Sequence, residues 1–200
     1  ATEHGRLIHS SRTPVAVLHV RGSAYERGFA HGRLLASQIV DMIEFFLLED
    51  MVRDTAFYEG ALLPALARLS RRTPQFDEGA RGMLDGMGAA NVSLRVAALA
   101  RDVTLLDLVA LNSYADAAAW TANASSTPPA ACSQFVFWGG ATPSGDTIAG
   151  RNMDGENDVR KLTVNNLVLH AVEPTEPGLQ RYVHVLWPGF LGASSGFSAA

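Results

Sequence analysis

The hydrophobic period of this chain changes near its middle, and the change falls on a segment that neither helix nor strand can cross. Residues 121–131 read TANASSTPPAA. Pro128 and Pro129 have no backbone N–H to donate and hold fixed φ angles, so this segment is a loop. Before it, from Gly22 to about Asp116, apolar residues recur at helical spacing. Ser23 and Glu26 predict a capping box at the start of the first helix. Phe29, Ile39, Ile43, Phe46 and Leu47 then fall toward one side of it. Tyr58, Leu62, Leu66 and Leu69 predict a second helix. Thr73-Pro74 predicts the cap and first-turn proline of a third, running through Met83 and Met87. Gly82, Gly86 and Gly88 weaken that helix by propensity but allow close packing. SLRVAALARDVTLLDLVALNSYADAAAW predicts one or two more helices, and no internal repeat is present.

After the loop the period shifts toward two. CSQFVFW, from Cys132, has the aromatic and apolar content of a strand. TPSG fits a type I turn, with proline second and glycine fourth, and DTIAGRN is the returning strand. LTVNNLVLHAV and QRYVHVLW predict further strands, divided by the turn-rich EPTEPG. The expected class is therefore α+β: a helical N-terminal segment over residues 1–131, then antiparallel strands over 132–200.

Composition narrows the chemistry. The 200 residues are 48% hydrophobic and 18% charged, a globular balance that can bury a substantial core. The net charge of −4 offers no electrostatic reason to expect nucleic acid as a partner. No apolar run approaches the roughly 20 residues of a transmembrane helix. One cysteine excludes an intrachain disulfide and any Cys-rich metal site. The six histidines are scattered, with no HExxH-like pair, so no metal is expected. The chain opens ATEHGRLIHSS, without an initiator Met or a signal core. If Ala1 is a mature N-terminus the protein is exported, periplasmic or secreted; otherwise it is cytoplasmic.

The single cysteine sits where the loop meets the first strand. A thiol is a good nucleophile only as thiolate, and a free cysteine titrates near 8.5, so it needs a base or a positive neighbour. If the chain is cut just before Cys132, the new α-amine, with an ordinary pKa of about 7.7–8.0, is a built-in base. The thiol can itself make that cut by attacking the preceding carbonyl, and the small Ala130-Ala131 leave room for the shift. One hairpin later comes Gly-Arg-Asn-Met-Asp-Gly, residues 150–155. Arg151 can hold negative charge through its donor fork. Asp154 can orient the α-ammonium group, Asn152 can brace the turn, and Gly150 and Gly155 admit a close backbone. The plainer readings are a buried cysteine, a surface Arg151–Asp154 ion pair, or a papain-like pairing of Cys132 with His170 or His184.

Cys132 opening a strand, followed by a turn and GRNMD, resembles the cysteine N-terminal nucleophile hydrolases. The nearest branch is the autoproteolytic acyltransferases typified by isopenicillin N acyltransferase. Bile-salt hydrolase, penicillin V acylase and acid ceramidase are wider relatives. GSAYERGFAHGRLLASQI is similar to that branch's opening helix and ALNSYAD to its last helix before the loop, so the resemblance runs from about residue 15 to 198. It implies a four-layer α-β-β-α sandwich and self-cleavage before Cys132. It also implies hydrolysis or transfer of an acyl group from an amide through a thioester, without a cofactor. Cys132, Arg151 and Asp154 would be the catalytic residues, and the substrate a small acyl amide. Two departures stand out. The sheets of the family need more strands than residues 132–200 supply, so the remaining C-terminal chain or a second subunit is an expected partner. Ser198 stands where relatives often carry an asparagine of the oxyanion hole. A lipid amidase or phospholipase-B-like activity is the alternative within enzymes, and a catalytically dead fold that only binds is the alternative outside them.

Overall fold

Strands precede the helices as well as following them, which corrects the expectation that the sheet begins at Cys132. The computed structural model describes residues 1–69, 71–114, 132–153, 160–192 and 195–198. The expected loop at 121–131 and the alanines before the cysteine lie outside these. Helix and strand are mixed, compatible with an α+β class, and the chain forms two compact units, Ala1–Thr121 with Asp158–Ala200, and Ala122–Asn157.

In the first unit, β1 (Gly5–Ile8) and β2 (Ala16–Gly22) form an antiparallel pair. After the helices come β7 (Val168–Pro174), β8 (Tyr182–Leu186) and β9 (Gly196–Ser198), and the sheet order is β1-β2-β7-β8-β9. The β2–β7 contact is parallel; the other neighbours are antiparallel. Register places Leu18 beside His170 and His170 beside His184, so these three form one row across the sheet. Residues 18, 20, 168, 170, 172, 184 and 186 are buried, the period-two signature of one covered face.

The covering layer starts with α1 (Ala24–Asp41). Its capping box is as expected: Glu26 N–H donates to Ser23 Oγ at 3.3 Å, and Ser23 N–H donates to Glu26 Oε2 at 2.7 Å. The third expected helix is α4 (Pro74–Gly88), with Thr73 Oγ1 accepting from Phe76 N–H and Pro74 in the first turn. Glycines decide how α1 and α4 meet. A Cβ on Gly28 or Gly32 would overlap the carbonyls of Gly79 and Met83, and one on Gly82 or Gly86 those of Tyr25 and Phe29. The two backbones therefore run in direct contact. Gly88 takes no part, since a Cβ there meets nothing.

Between these helices the chain departs from α geometry. Met42–Val52 continues α1 as a π-helix and turns Met42, Ile43, Phe46, Leu47, Leu48 and Val52 inward. The acidic residues of this segment are only partly buried or, as with Glu49, exposed. The second expected helix is three joined pieces, α2 (Thr55–Phe57), a π-turn (Tyr58–Leu62) and α3 (Leu63–Leu69), with Tyr58, Leu62 and Leu66 buried.

Two expected elements differ. The long helical reading from Ser93 gives instead a small ribbon, β3 (Arg95–Val96) and β4 (Arg101–Asp102), and helix only at α5 (Leu105–Asn112). Ala100 is left-handed at φ 53°, which breaks the helix, and the Thr104–Asp107 capping box restarts it. Asp107 is fully buried, and a dense set of donors holds it there. It accepts from Arg101 Nη1 and Nη2 at 2.7 and 3.0 Å, Thr104 N–H and Oγ1 at 2.7 Å each, and Tyr58 Oη at 2.8 Å. Burial alone would raise this carboxyl; the hydrogen bonds from Arg101, Thr104 and Tyr58 outweigh it and hold the group below its ordinary value. The second difference is α6 (Leu162–Asn165), which replaces the start of an expected strand. Asn166 Nδ2 donates back to Leu162 O at 3.1 Å, the local bonding that makes asparagine a poor strand residue.

The second unit is a hairpin. β5 (Cys132–Phe137) and β6 (Ile148–Met153) pair antiparallel, with Cys132 opposite Met153, Gln134 opposite Arg151 and Phe135 opposite Gly150. In the connection, Gly145 N–H donates to Thr142 O at 3.2 Å, closing the expected TPSG turn. The Phe135 ring lies across Gly150, where a Cβ would collide with it, so the glycine seats the ring. Phe135, Val136, Phe137 and Ile148 are all about half exposed.

Candidate active site

The hairpin register brings Cys132 and Arg151 together. Residues directly opposite share a face, and so do the diagonal neighbours two positions along. Cys132 faces Met153, so Arg151 is its diagonal neighbour on the same side. The long side chain crosses that diagonal, and Arg151 Nη2 donates to Cys132 Sγ at 3.1 Å. Cys132 is exposed and in no disulfide. Chemically, this is an accessible sulfur with a fixed cation against it, at the first residue of a strand. Asn152 is a strand residue opposite Ser133. Asp154 and Gly155 lie outside the described residues. Ser198 ends β9 and is exposed.

The scattered histidines are less scattered in space. His31 on α1, His170 on β7 and His184 on β8 are all buried, with ring centroids 5.1 Å apart for His31–His170 and 4.4 Å for the stacked His170–His184 pair. His31 Nε2 accepts from Gly189 N–H at 3.1 Å. No spacing in the sequence announces this cluster, because a row across strands is set by register. The His170 and His184 rings stack, while the His31 ring is tilted by 58° to that of His170. Among the described residues no group of three His, Cys, Asp or Glu side chains is placed to hold a metal.

The cluster has a consequence for stability. Burial pushes His31 down to about 3, with His184 adding to it, and pushes His184 down to about 4. His170 is also well below its ordinary value, by burial first and then by its two neighbours. The unfolded chain therefore binds more protons than the native one below pH 6.5, so stability is full above that value and is lost as pH falls toward 4. His184 alone accounts for a loss on the order of 3 kcal/mol by pH 4. Thermal unfolding between pH 7 and pH 4 should show a steep fall in Tm, with a shallower fall in His184→Phe. A wild-type Tm that stays flat to pH 4 would refute the assignment.

No family model matches the chain. It is similar to an uncharacterized protein of Archaeoglobus fulgidus, 26% identical over 206 aligned residues that cover 92% of this chain and 31% of that protein. It is also similar to protein dcd1B of Dictyostelium discoideum, 26% identical over 216 aligned residues that cover 99% of this chain and 39% of that protein. The chain thus spans well under half the length of either relative. Among the described residues no helix is long and apolar enough to cross a membrane.

Proposed function

We propose that this chain carries the nucleophile of an autoprocessing N-terminal nucleophile enzyme, an amidohydrolase or acyltransferase of the cysteine type. The observation that carries the reading is the Arg151 guanidinium 3.1 Å from the sulfur of a cysteine that opens a strand. In the first reaction, Cys132 Sγ attacks the Ala131 carbonyl carbon and the acyl group moves from nitrogen to sulfur. That shift breaks the C–N bond and frees the Cys132 α-amine; water then hydrolyses the thioester, releasing the Ala131 carboxylate and regenerating the thiol. In turnover that amine takes the thiol proton while sulfur attacks the acyl carbon of a small amide. The proton passes to the departing amine, and water or an acceptor amine resolves the thioester. Arg151 stabilises the developing negative charge, and Asp154 is assigned to hold the α-ammonium group. No cofactor takes part in this sequence of steps.

The same reading places the chain in a four-layer α-β-β-α sandwich completed by further chain or a second subunit. The half-exposed Phe135, Phe137 and Ile148, which share one face of the β5–β6 ribbon, support this, since a stacked sheet would cover that face. The test is the mass of the purified full-length protein. A new N-terminus at Cys132 is expected in the wild type and none in Cys132→Ala. A wild type that stays whole while hydrolysing an amide would disprove the mechanism.

A further inference from the structure

A cleft of about 930 Å³ lies in the first unit, between α1 and α4 on one side and the strands β2, β7, β8 and β9 on the other. Its walls are largely apolar, with Val20, Val172, Phe76, Phe190 and Leu191 among them. A cation is set into them: Arg27 of α1, whose side chain is 13% exposed. Its Nη1 donates to Glu176 Oε2 at 2.7 Å and to the Gly22 carbonyl. Glu176 is fixed in turn, because its Oε1 accepts from Ala24 N–H at 2.8 Å. Neither Gly22 nor Glu176 lines the cleft. Among the described residues, Nε and Nη2 of Arg27 find no hydrogen-bond partner, and neither atom is sealed from solvent.

The guanidinium is thus held from behind through Nη1, and its Nε–Nη2 edge, two parallel N–H groups, is left for a ligand. A second donor stands at the same end of the sheet. Tyr182 lines the cleft and lies in one row with Val172 and Val20. Val20 is two residues before Gly22, whose carbonyl anchors Arg27. Among the described residues the Tyr182 hydroxyl also finds no hydrogen-bond partner, and it is open to solvent. The charge facing the cleft is positive. No Asp or Glu is among the described residues that line it, and burial keeps His31, His170 and His184 neutral at pH 7. Two parallel donors on a cation match the two oxygens of a carboxylate. A phosphate monoester carries about two negative charges at pH 7, more than Arg27 can balance.

We propose that this cleft binds a carboxylate with an apolar tail, its oxygens on the Arg27 Nε–Nη2 edge and the Tyr182 hydroxyl, its tail along the apolar walls. The site involves only residues of the first unit and stands independently of the chemistry assigned to Cys132.

The experiment titrates full-length protein at pH 7.5 with octanoate, octanamide and acetate, followed by isothermal calorimetry. Octanoate should bind saturably. Octanamide keeps the tail and loses the charge, acetate keeps the charge and loses the tail, and each should bind at least about tenfold more weakly. Arg27→Met keeps an apolar stem without the donors and should weaken octanoate by about tenfold or more. Tyr182→Phe keeps the ring without the hydroxyl and should weaken it about threefold. The proposal is overturned if octanoate gives no saturable binding, or if octanamide or acetate binds as tightly as octanoate. It is equally overturned if either variant, shown folded by circular dichroism, binds octanoate undiminished. The mild Tyr182→Phe change decides the location even where Arg27→Met fails to fold.

Discussion

Arg151→Ala should reduce amide turnover by about 10²–10³, the usual cost of removing one preorganised donor from a developing charge. The guanidinium reaches Cys132 Sγ across the diagonal of a two-stranded ribbon, and both side chains are exposed. The substitution therefore leaves no cavity in a core, and the hairpin register, held by Gln134 and its neighbours, should survive. Arg151→Lys should recover only part of the rate, because a point charge on a flexible stem does not reproduce the planar fork. Alkylation of Cys132 by iodoacetamide gives a second readout that needs no substrate. It should slow in Arg151→Ala at neutral pH, since the thiolate loses its adjacent cation. Equal alkylation rates in wild type and variant would remove Arg151 from the site, whatever the substrate proves to be.

Asp107→Ala should cost about 3–5 kcal/mol of folding stability, the range for breaking a buried ion pair from one side. That is a large share of the 5–15 kcal/mol that holds a typical domain. Asp107 is fully buried and takes all five of its hydrogen bonds from Arg101, Thr104 and Tyr58. Without it the Tyr58 hydroxyl is stranded in the core and α5 loses its capping box. Arg101 keeps Glu59, at 2.8 Å, and partial access to water, which places the expected loss toward the lower end. Tyr58→Phe removes one neutral donor and should cost only about 1 kcal/mol. Urea unfolding of the three proteins separates these figures, and a loss below 1 kcal/mol in Asp107→Ala would show that the network does not hold the fold together.

What could be read from the sequence was local. The Ser23–Glu26 box, the Thr73-Pro74 start of α4 and the TPSG turn each depend on residues within four positions of one another, and all three are present. The Cys132–Arg151 contact was legible for the same reason, because a short turn sets the register of a hairpin and the register sets the diagonal. Local bonding also explains the failures. Ala100 and the Asn165-Asn166 pair interrupt patterns whose apolar residues alone suggested longer elements. Only the tertiary structure decided the rest. β1 and β2 are short and gain their place from β7, which lies about 150 residues downstream and pairs with β2 in parallel. Gly28, Gly32, Gly82 and Gly86 are poor helix formers in isolation, and they become the contact surface only when α1 and α4 meet. His31, His170 and His184 carry no motif. They meet because sheet register sets two of them in one row and α1 lays the third upon it, a proximity that depends on pairing across the fold and not on spacing along the chain.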